Sequence, residues 1–554
     1  MRNFGNEFNH HVLKSYCPQT LRTSGLNESQ KAESEPMNLP EYQNEPYADY
    51  TVPANDAAYR AALEKVRSQL GRDYPLIIGD QKIMLEEKIA SVNPCNPQQV
   101  IGRVSSATAA HAQQALEVAQ TAFQSWKNTP LETRIAVLVK AAAIIRERKL
   151  EYNAWLTLEV GKNYAEAEGE TAEAVDFLEY YARSALQLLK TVQTYQLPGE
   201  HDRAEYIPLG VGVSITPWNF PFAIFLGQAC APIVAGNTMI VKPAEDSAVI
   251  AYKAIELLLE AGLPHGVVNY LPGLGEVVGD ALVKHPQTRF ISFTGSKSVG
   301  LSINAEAAKA RAGQKWIKRV TLELGGKDSM IVDETADLEA AVSAAVAGAF
   351  GFAGQKCSAL SRLIVVESVY AQVLESVTEK VKALTVGDPA DNQYVNAVIN
   401  LESLEKSKHY LELAPTEGRV TVGGSASSHP ETEGYFVQPT VVADVKPDAK
   451  LAQDEIFAPI LTVIPVKDFE EAVQVFNNTD YGLTGGIFST DPARLERAER
   501  ELHVGNLYLN RKITGAMVGC HPFGGFNLSG TDSKAGGPDY LLHFVQMKSI
   551  ARKI

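Results

Sequence analysis

Apolar residues recur at helical spacing through LETRIAVLVKAAAIIRERK (131–149). Ile135, Leu138, Ala142 and Ile145 fall on one face, and the run ends in basic residues, as a helix C-terminus favours. EGETAEAVDFLEYYARSALQLLK predicts a second helix after it. The segment TVQTYQLPGEHDRAEYIPLG (191–210) alternates and turns at Pro198 and Gly199, so it predicts a β-hairpin too polar for a core strand. Beyond it, the short apolar strands VGVSI, TMIVK, GVVNYL and RFISF alternate with helical stretches such as SAVIAYKAIELLLEAG. That rhythm predicts a parallel sheet with helices on its faces. It resumes beyond Thr321 through ADLEAAVSAAVAGAF, RLIVVE and VYAQVLESVTEKVKAL. The fold class is therefore α/β, with at least two such units and a hairpin, and with no internal repeat or low-complexity tract.

The length of 554 residues allows about three or four structural units at ~150 residues each. Lys and Arg number 51 against 65 Asp and Glu, a formal charge of −14. A body that acidic is a poor nucleic-acid binder, because phosphate neutralisation needs a basic surplus. Cys17, Cys95, Cys230, Cys357 and Cys520 are odd in number and scattered, with no disulfide or zinc spacing, which fits a reducing compartment. The eleven histidines, including the adjacent His10 and His11, show no ligand spacing. No apolar run approaches the ~18 residues needed to span a bilayer, and no secretory signal is legible. These features predict a cytoplasmic protein without nucleic acid, membrane span or metal. Residues 1–45 are polar and aperiodic and read as a flexible extension. Arg2, Lys14 and Arg22 stand there against Glu7 alone, which leaves organelle targeting open as a second reading.

Five short segments carry candidate chemistry. In FGFAGQKCS (350–358) the thiol of Cys357 ends a glycine-punctuated loop, a setting for a nucleophile, although a small buried cysteine is an equal alternative. In TLELGGK (321–327) Glu323 lies between apolar residues, where desolvation would raise its carboxyl toward neutrality and suit it to general-base work. In ITPWNFP (215–221) two prolines bracket Asn219, whose amide could point at a developing oxyanion. VKPAE (241–245) ends a strand, where a carboxylate can accept ribose hydroxyls. FTGS (293–296) leads from a strand into a helix, offering backbone N–H groups to a pyrophosphate. Gly273, Gly275 and Gly279 form a weaker glycine signal.

Taken in order, PWNFP, KPAE, FTGS, ELGGK and GQKC, followed by EIFAP (455–459), resemble the aldehyde dehydrogenase superfamily from about residue 46 to the C-terminus. The resemblance implies a Rossmann-like cofactor domain (46–190 and 211–322), an α/β catalytic domain (323–517) and a small β oligomerisation flap (191–210 with 518–554). It implies Cys357 as nucleophile, Asn219 with the Cys357 N–H as oxyanion hole, and Glu323 as the base that activates water. For the cofactor, NAD, it implies Lys242 and Glu245 at the adenosine ribose, with Glu245 disfavouring the 2′-phosphate of NADP. Gly295 and Ser296 would lie at the pyrophosphate, Glu455 and Phe457 at the nicotinamide end, and Ile215, Trp218, Gly275 and Val299 along the cleft. Asp454 and Ala458 depart from the family's usual glutamate and glycine, which puts the fine placement of that loop in question.

YLNRKITGAMVG (508–519), with HPFGGF (521–526), SGT (529–531) and KAGGP (534–538), offers small residues whose N–H groups could form an anion-binding nest for a substrate carboxylate. The alternative is a plain glycine-rich loop. Together with DFLEYYA (176–182) and Ser358, this stretch resembles the branch of the superfamily that oxidises L-glutamate γ-semialdehyde to glutamate in proline degradation. That resemblance implies Ser358, Gly515 and Ala516 at the α-carboxylate, Glu173 at the ammonium, and Phe220 and Phe523 beside the aliphatic chain. It also implies a homodimer or larger homo-oligomer and a functional link to a separate proline dehydrogenase. Two rivals remain at this stage: another semialdehyde dehydrogenase, hydrolytic or CoA-acylating, and a catalytically silent scaffold.

Overall fold

The computed structural model describes residues 39–428 and 432–554. Most of the predicted flexible and targeting segment lies outside those residues. Within it, Glu41 to Glu45 belong to the compact body, which begins at Glu41 rather than at residue 46.

Two seven-stranded sheets organise that body. The first runs Arg319–Glu323, Phe290–Thr294, Val211–Ile215, Thr238–Lys242, Val268–Tyr270, Leu76–Ile78, Gln81–Ile83, with its first five strands parallel. Four of those five are largely buried because helices cover both faces, while the edge strand Arg319–Glu323 leaves its arginine exposed. Among these helices are Ala109–Trp126, Ala223–Val234 and Ala248–Glu260. Register aligns Thr294 with Glu323, Phe293 with Ile215 and Ile215 with Lys242, so four neighbouring strands end side by side. The segments that follow those ends are LGGK, GS, TPWNFP and PAE.

The second sheet runs Arg419–Val422, Thr440–Ala443, Ile460–Val466, Leu360–Val366, Asp328–Val332, Thr484–Phe488, Asn506–Leu509, all parallel except the first pair. Here the candidate segments precede their strands. LGGK leads into Asp328, the thiol loop into Leu360, and EIFAP into Ile460. The carboxyl edge of one sheet is thus tied to the amino edge of the other by Leu324 to Lys327, and the functional segments gather at that seam.

The predicted hairpin is present as Val192–Gln193 and Glu200–Pro208, and the terminal strand Val545–Lys553 pairs along the whole of the latter. The helix predicted from Glu168 starts earlier, at Tyr164, because the Asn163 side chain accepts the Glu166 N–H and caps it. A further small sheet of Arg72–Tyr74, Asn96–Ser105 and Lys88–Asn93 was not legible in the apolar pattern, since its strands are half-exposed. No helix among the described residues is long and apolar enough to cross a membrane.

Candidate active site

The thiol loop is a strained turn held by burial. After the helix Leu338–Phe350, Phe352, Ala353 and Gly354 take φ of 51°, 52° and 68° in succession. Left-handed backbone at a non-glycine residue costs of order 1–3 kcal/mol, and both non-glycine side chains are fully buried. Gln355 then pins the loop from inside: its Oε1 accepts the Ile399 N–H and its Nε2 donates to Ala397 O. Its carbonyl accepts the Asn219 amide at 3.1 Å. The structure therefore brings Asn219 to the loop that carries Cys357. Asn219 is buried, and its second amide hydrogen is not used by that bond.

Glu323 ends its strand and is clamped by the C-terminal region. Leu322 N–H donates to Thr531 Oγ1, Leu324 N–H donates to Ser529 O, and the Ser533 hydroxyl donates to Glu323 Oε1. Glu323 Oε2 has no hydrogen-bond partner among the described residues. Burial pushes this carboxyl up to about 8, with the Ser533 bond and Lys534 opposing the shift. The sequence expectation of a desolvated acid holds. Burial also raises the Cys357 thiol well above its ordinary value, reinforced by Asp328, Glu323, Glu455 and Glu173 in that order. Burial above all keeps this sulfur a thiol until a positive or polarising partner arrives.

The double glycine explains how these parts meet. A Cβ at Gly325 would lie 2.1 Å from a Glu455 carboxylate oxygen, and one at Gly326 would lie 2.5 Å from Cys357 O. Glu455 Oε1 accepts the Gly326 N–H at 3.1 Å, and Lys406 donates to the Glu455 carbonyl. Phe457 takes φ 64° and meets Trp218 edge-on at 5.5 Å. Ala458 is not in the left-handed region, so glycine is not required there. Asp454 accepts the Tyr410 hydroxyl at 3.0 Å. Both departures from the family pattern are accommodated.

At the carboxyl edge of the first sheet, Lys242 Nζ pairs with Glu245 at 3.0 Å, the lysine buried and the glutamate half-exposed. Ser296 caps the helix Lys297–Ala307 by accepting the Val299 N–H. Leu274 and Val277, at the short helical segment Gly275–Gly279, and Val299, in the first turn of the helix Lys297–Ala307, are exposed apolar side chains. Gly275 has open space where a Cβ would be, and Gly295 is closed by Phe293. Ile215 is partly exposed at its strand end. This edge therefore offers an acid for hydroxyls, a helix N-terminus for an anion and apolar surface for a flat base. That donor set fits a dinucleotide.

On the other side, Lys162 Nζ lies 3.5 Å from the Phe220 ring centroid and 4.7 Å from that of Phe352. It pairs with Glu170 at 2.6 Å, and both side chains are fully buried. Glu170 Oε1 also accepts the Phe222 and Ala223 N–H groups. One turn along the same helix, Glu173 is pushed up to about 8 by burial, then by Glu170. Gly515 takes φ 76° and its Cβ position lies 3.8 Å from Lys512 Nζ. Arg511 donates to the Thr514 and Gly515 carbonyls, and Lys356 pairs with Glu166 at 2.6 Å. Arg511 and Lys512 thus lie at Gly515, where an anionic group would be favoured, while Lys356, two residues before Ser358, is already paired with Glu166. Ser358 is buried, with its carbonyl 3.5 Å from Thr484 Oγ1. Phe523 pairs by its backbone with Ala535 and is partly exposed.

Sequence reasoning missed Ser533, Gln355 and the Lys162–Glu170 pair. Ser533 lies between two quoted segments and carries no spacing signal. Lys162 and Glu170 sit among small and polar residues, GKN and EGETAE, that give no sign of burial.

The profile of the aldehyde dehydrogenase family matches residues 83–550. The 1-pyrroline-5-carboxylate dehydrogenase of Geobacillus thermodenitrificans is 53% identical over 511 residues, 92% of this chain and 99% of that one. Among solved structures, a mutant 1-pyrroline-5-carboxylate dehydrogenase of Thermus thermophilus superposes with a TM-score of 0.92 at 50% identity, covering 94% of this chain and all of that one. A Thermus 1-pyrroline-5-carboxylate dehydrogenase with bound NAD gives 0.91 at 49%, with the same coverage.

Proposed function

The chain belongs to the aldehyde dehydrogenase family, and from that membership we infer that it oxidises L-glutamate γ-semialdehyde, the open form of 1-pyrroline-5-carboxylate, to L-glutamate with NAD. The observation that carries the division of labour is the convergence at Gly326, where the strand end bearing Glu323 backs directly onto the Cys357 carbonyl.

In this reading Cys357 first loses its thiol proton to solvent, and the thiolate attacks the aldehyde carbon, forming a C–S bond as the carbonyl electrons move onto oxygen. The resulting alkoxide is met by the free Asn219 amide hydrogen and the Cys357 N–H. Losing one such donor typically costs ~10²–10³ in rate. NAD, when bound, supplies the acceptor that takes the hydride from that carbon, leaving an acyl thioester on Cys357. Glu323 Oε2 then takes a proton from water, whose oxygen attacks the acyl carbon. The C–S bond breaks and the sulfur leaves with its electron pair, completing the carboxylic acid. Support for Glu323 comes from its raised carboxyl and open Oε2. The same feature argues against a CoA-acylating enzyme, where no water needs activating.

Lys242 and Glu245 would hold the adenosine ribose, Gly295 and Ser296 the pyrophosphate, and Glu455 and Phe457 the nicotinamide end. Ile215, Trp218, Gly275 and Val299 would line the cleft. The substrate carboxylate would dock on Ser358, Gly515 and Ala516 within the field of Arg511, Lys512 and Lys356. Glu173 would face its ammonium, and Phe220 and Phe523 its aliphatic chain. The three-stranded flap leaves Tyr195, Leu197, Met547 and Ile554 exposed, which supports a homodimer formed through it. Free Cys95, Cys230, Cys357 and Cys520 support a cytoplasmic location. A separate proline dehydrogenase would supply the substrate.

The test is NADH release across aldehydes that differ in possession of an α-carboxylate, with Cys357→Ala as control. Preference for the carboxylate-bearing semialdehyde and an inert Cys357→Ala are expected. Equal rates for all aldehydes would overturn the substrate assignment, and turnover by Cys357→Ala the nucleophile.

A further inference from the structure

Residues 41–49 have no regular structure, yet they are fastened to two separate walls of the site. The first wall is the helix Tyr164–Leu188, which carries Glu173 and, one turn on, Asp176. Asp176 accepts the Asn44 amide at 2.8 Å on one oxygen and the Glu45 N–H at 2.7 Å on the other. Glu168, on the same helix, accepts the Ala48 N–H and the Tyr50 hydroxyl. The second wall is the loop that follows Gly515 and Ala516. The Val518 carbonyl accepts both the Tyr42 hydroxyl and the Asn44 amide, each at 3.0 Å, and the Tyr47 hydroxyl reaches the Met517 sulfur at 3.5 Å. The Tyr42 ring closes the gap further: it meets Tyr180 edge-on at 5.2 Å, and a Cβ at Gly519 would lie 2.9 Å from it.

We propose that the strap from Tyr42 to Tyr47 is a specificity-determining element, because Asn44 and Tyr42 tie the Glu173 helix to the Gly515–Ala516 loop and so set the spacing between them. The proposal rests on the assignment of those two walls to the substrate's ammonium and carboxylate. An aldehyde carrying both groups must match the span between the walls. A simple aldehyde needs only the thiol loop, which the strap does not touch in any of these contacts. The loop's other ties on this side are the Gly519 N–H to Gly536 O, the Cys520 and His521 N–H groups folded back on Met517 O, the Met517 N–H to His521 Nδ1, and Tyr180 of the helix, whose ring a Cβ at Gly519 would meet at 3.0 Å. Glu45 is in turn held by Arg146 at 2.8 Å, so the strap is anchored independently of the loop it restrains.

The experiment uses the full chain and compares wild type, Tyr42→Phe, Asn44→Ala and the double variant on glutamate semialdehyde and on propanal. Tyr42→Phe removes the bonds of the hydroxyl to Val518 O and the Asn44 amide, and Asn44→Ala removes the amide's bonds to Asp176, Val518 O and Tyr42 and the one it accepts from the Cys520 thiol. The double variant should raise KM for glutamate semialdehyde about tenfold, with kcat and the propanal kcat/KM within about twofold of wild type. A merely structural role would lower both substrates together, and that result, or no change in either, would overturn the proposal. Tyr42→Phe keeps the ring on Gly519 and Tyr180, so it reports on the hydroxyl even if Asn44→Ala folds poorly. Ser358→Ala in the same assay separates the two levels. If it is selective and the strap variants are not, the strap proposal alone fails. If wild type shows no preference for the carboxylate-bearing aldehyde, the substrate reading fails and the strap proposal with it.

Discussion

Gly326 sits so close behind Cys357 that a methyl group on its Cα would be 2.5 Å from the cysteine carbonyl and 2.3 Å from Asp328 Oδ2. Both neighbours are fixed, since Asp328 Oδ1 accepts the Thr484 N–H at 2.7 Å and the loop is pinned through Gln355. Gly326→Ala should therefore displace the nucleophile. A misplacement of about 1 Å can cost ~10²-fold in rate, so kcat should fall by that order while cofactor affinity is retained. Stopped-flow NADH formation alongside NAD titration measures both. Turnover near wild type would mean that the backbone relaxes without moving the sulfur.

Glu323 holds its proton up to about pH 8, and only the ionised carboxylate can act as a base. The hydrolytic step should therefore accelerate as pH rises from 7 to 9. Ser533 opposes the upward shift, so Ser533→Ala should move the midpoint of that rise to higher pH without abolishing activity. Glu323→Gln should stop after one burst of NADH as the thioester accumulates. Steady turnover by Glu323→Gln, or an unmoved profile in Ser533→Ala, would remove Glu323 from the base role.

What could be read in advance follows the range of the interactions. Four of the five parallel strands of the first sheet announce themselves because burial on both faces demands apolar runs, whereas Arg319–Glu323, an edge strand with an exposed arginine, does not. Glu323 could be foreseen as desolvated from its apolar neighbours in the chain. Its partner Ser533 could not, because that hydrogen bond joins positions 210 residues apart. Tyr42 and Asn44 were hidden for a different reason: they lie in a polar, aperiodic stretch whose order comes from hydrogen bonds, a ring contact and an ion pair to distant walls. Period and composition carry no trace of such bonds.

Ser358 adjoins the nucleophile and is buried beside it, and the substrate reading sets the α-carboxylate on its side chain. Ser358→Ala should raise KM for glutamate semialdehyde more than for a simple aliphatic aldehyde, by about tenfold if one charge-assisted hydrogen bond is lost. Steady-state kinetics on both aldehydes decides the matter. Equal effects on the two would argue that the carboxylate docks elsewhere.

Glu173 and Glu323 each have a carboxyl raised to about 8, against ordinary values near 4.5. The folded state thus keeps protons that the unfolded chain releases, and the stabilisation this brings is complete below pH 4.5 and lost as pH climbs through 8. Glu173→Gln, which keeps the neutral form at every pH, should flatten the fall in stability between pH 5 and pH 9. Urea midpoints at the two values measure it. An unchanged slope would mean that Glu173 ionises in the folded protein at its ordinary value.

Lys162 supports Phe220 from below while neutralising Glu170, and neither charge reaches solvent. Removing one member leaves the other buried without its counter-charge, which costs ~3–5 kcal/mol. Lys162→Met should therefore destabilise the protein by that order and loosen Phe220, raising KM along with it. Lys162→Met combined with Glu170→Gln should recover much of the loss, because a glutamine Oε1 can still accept the Phe222 and Ala223 N–H groups without carrying charge. Chemical denaturation of the wild type, both single variants and the double closes the cycle. Additive losses would show that the two residues act separately, and that the lysine holds the phenylalanine by packing alone.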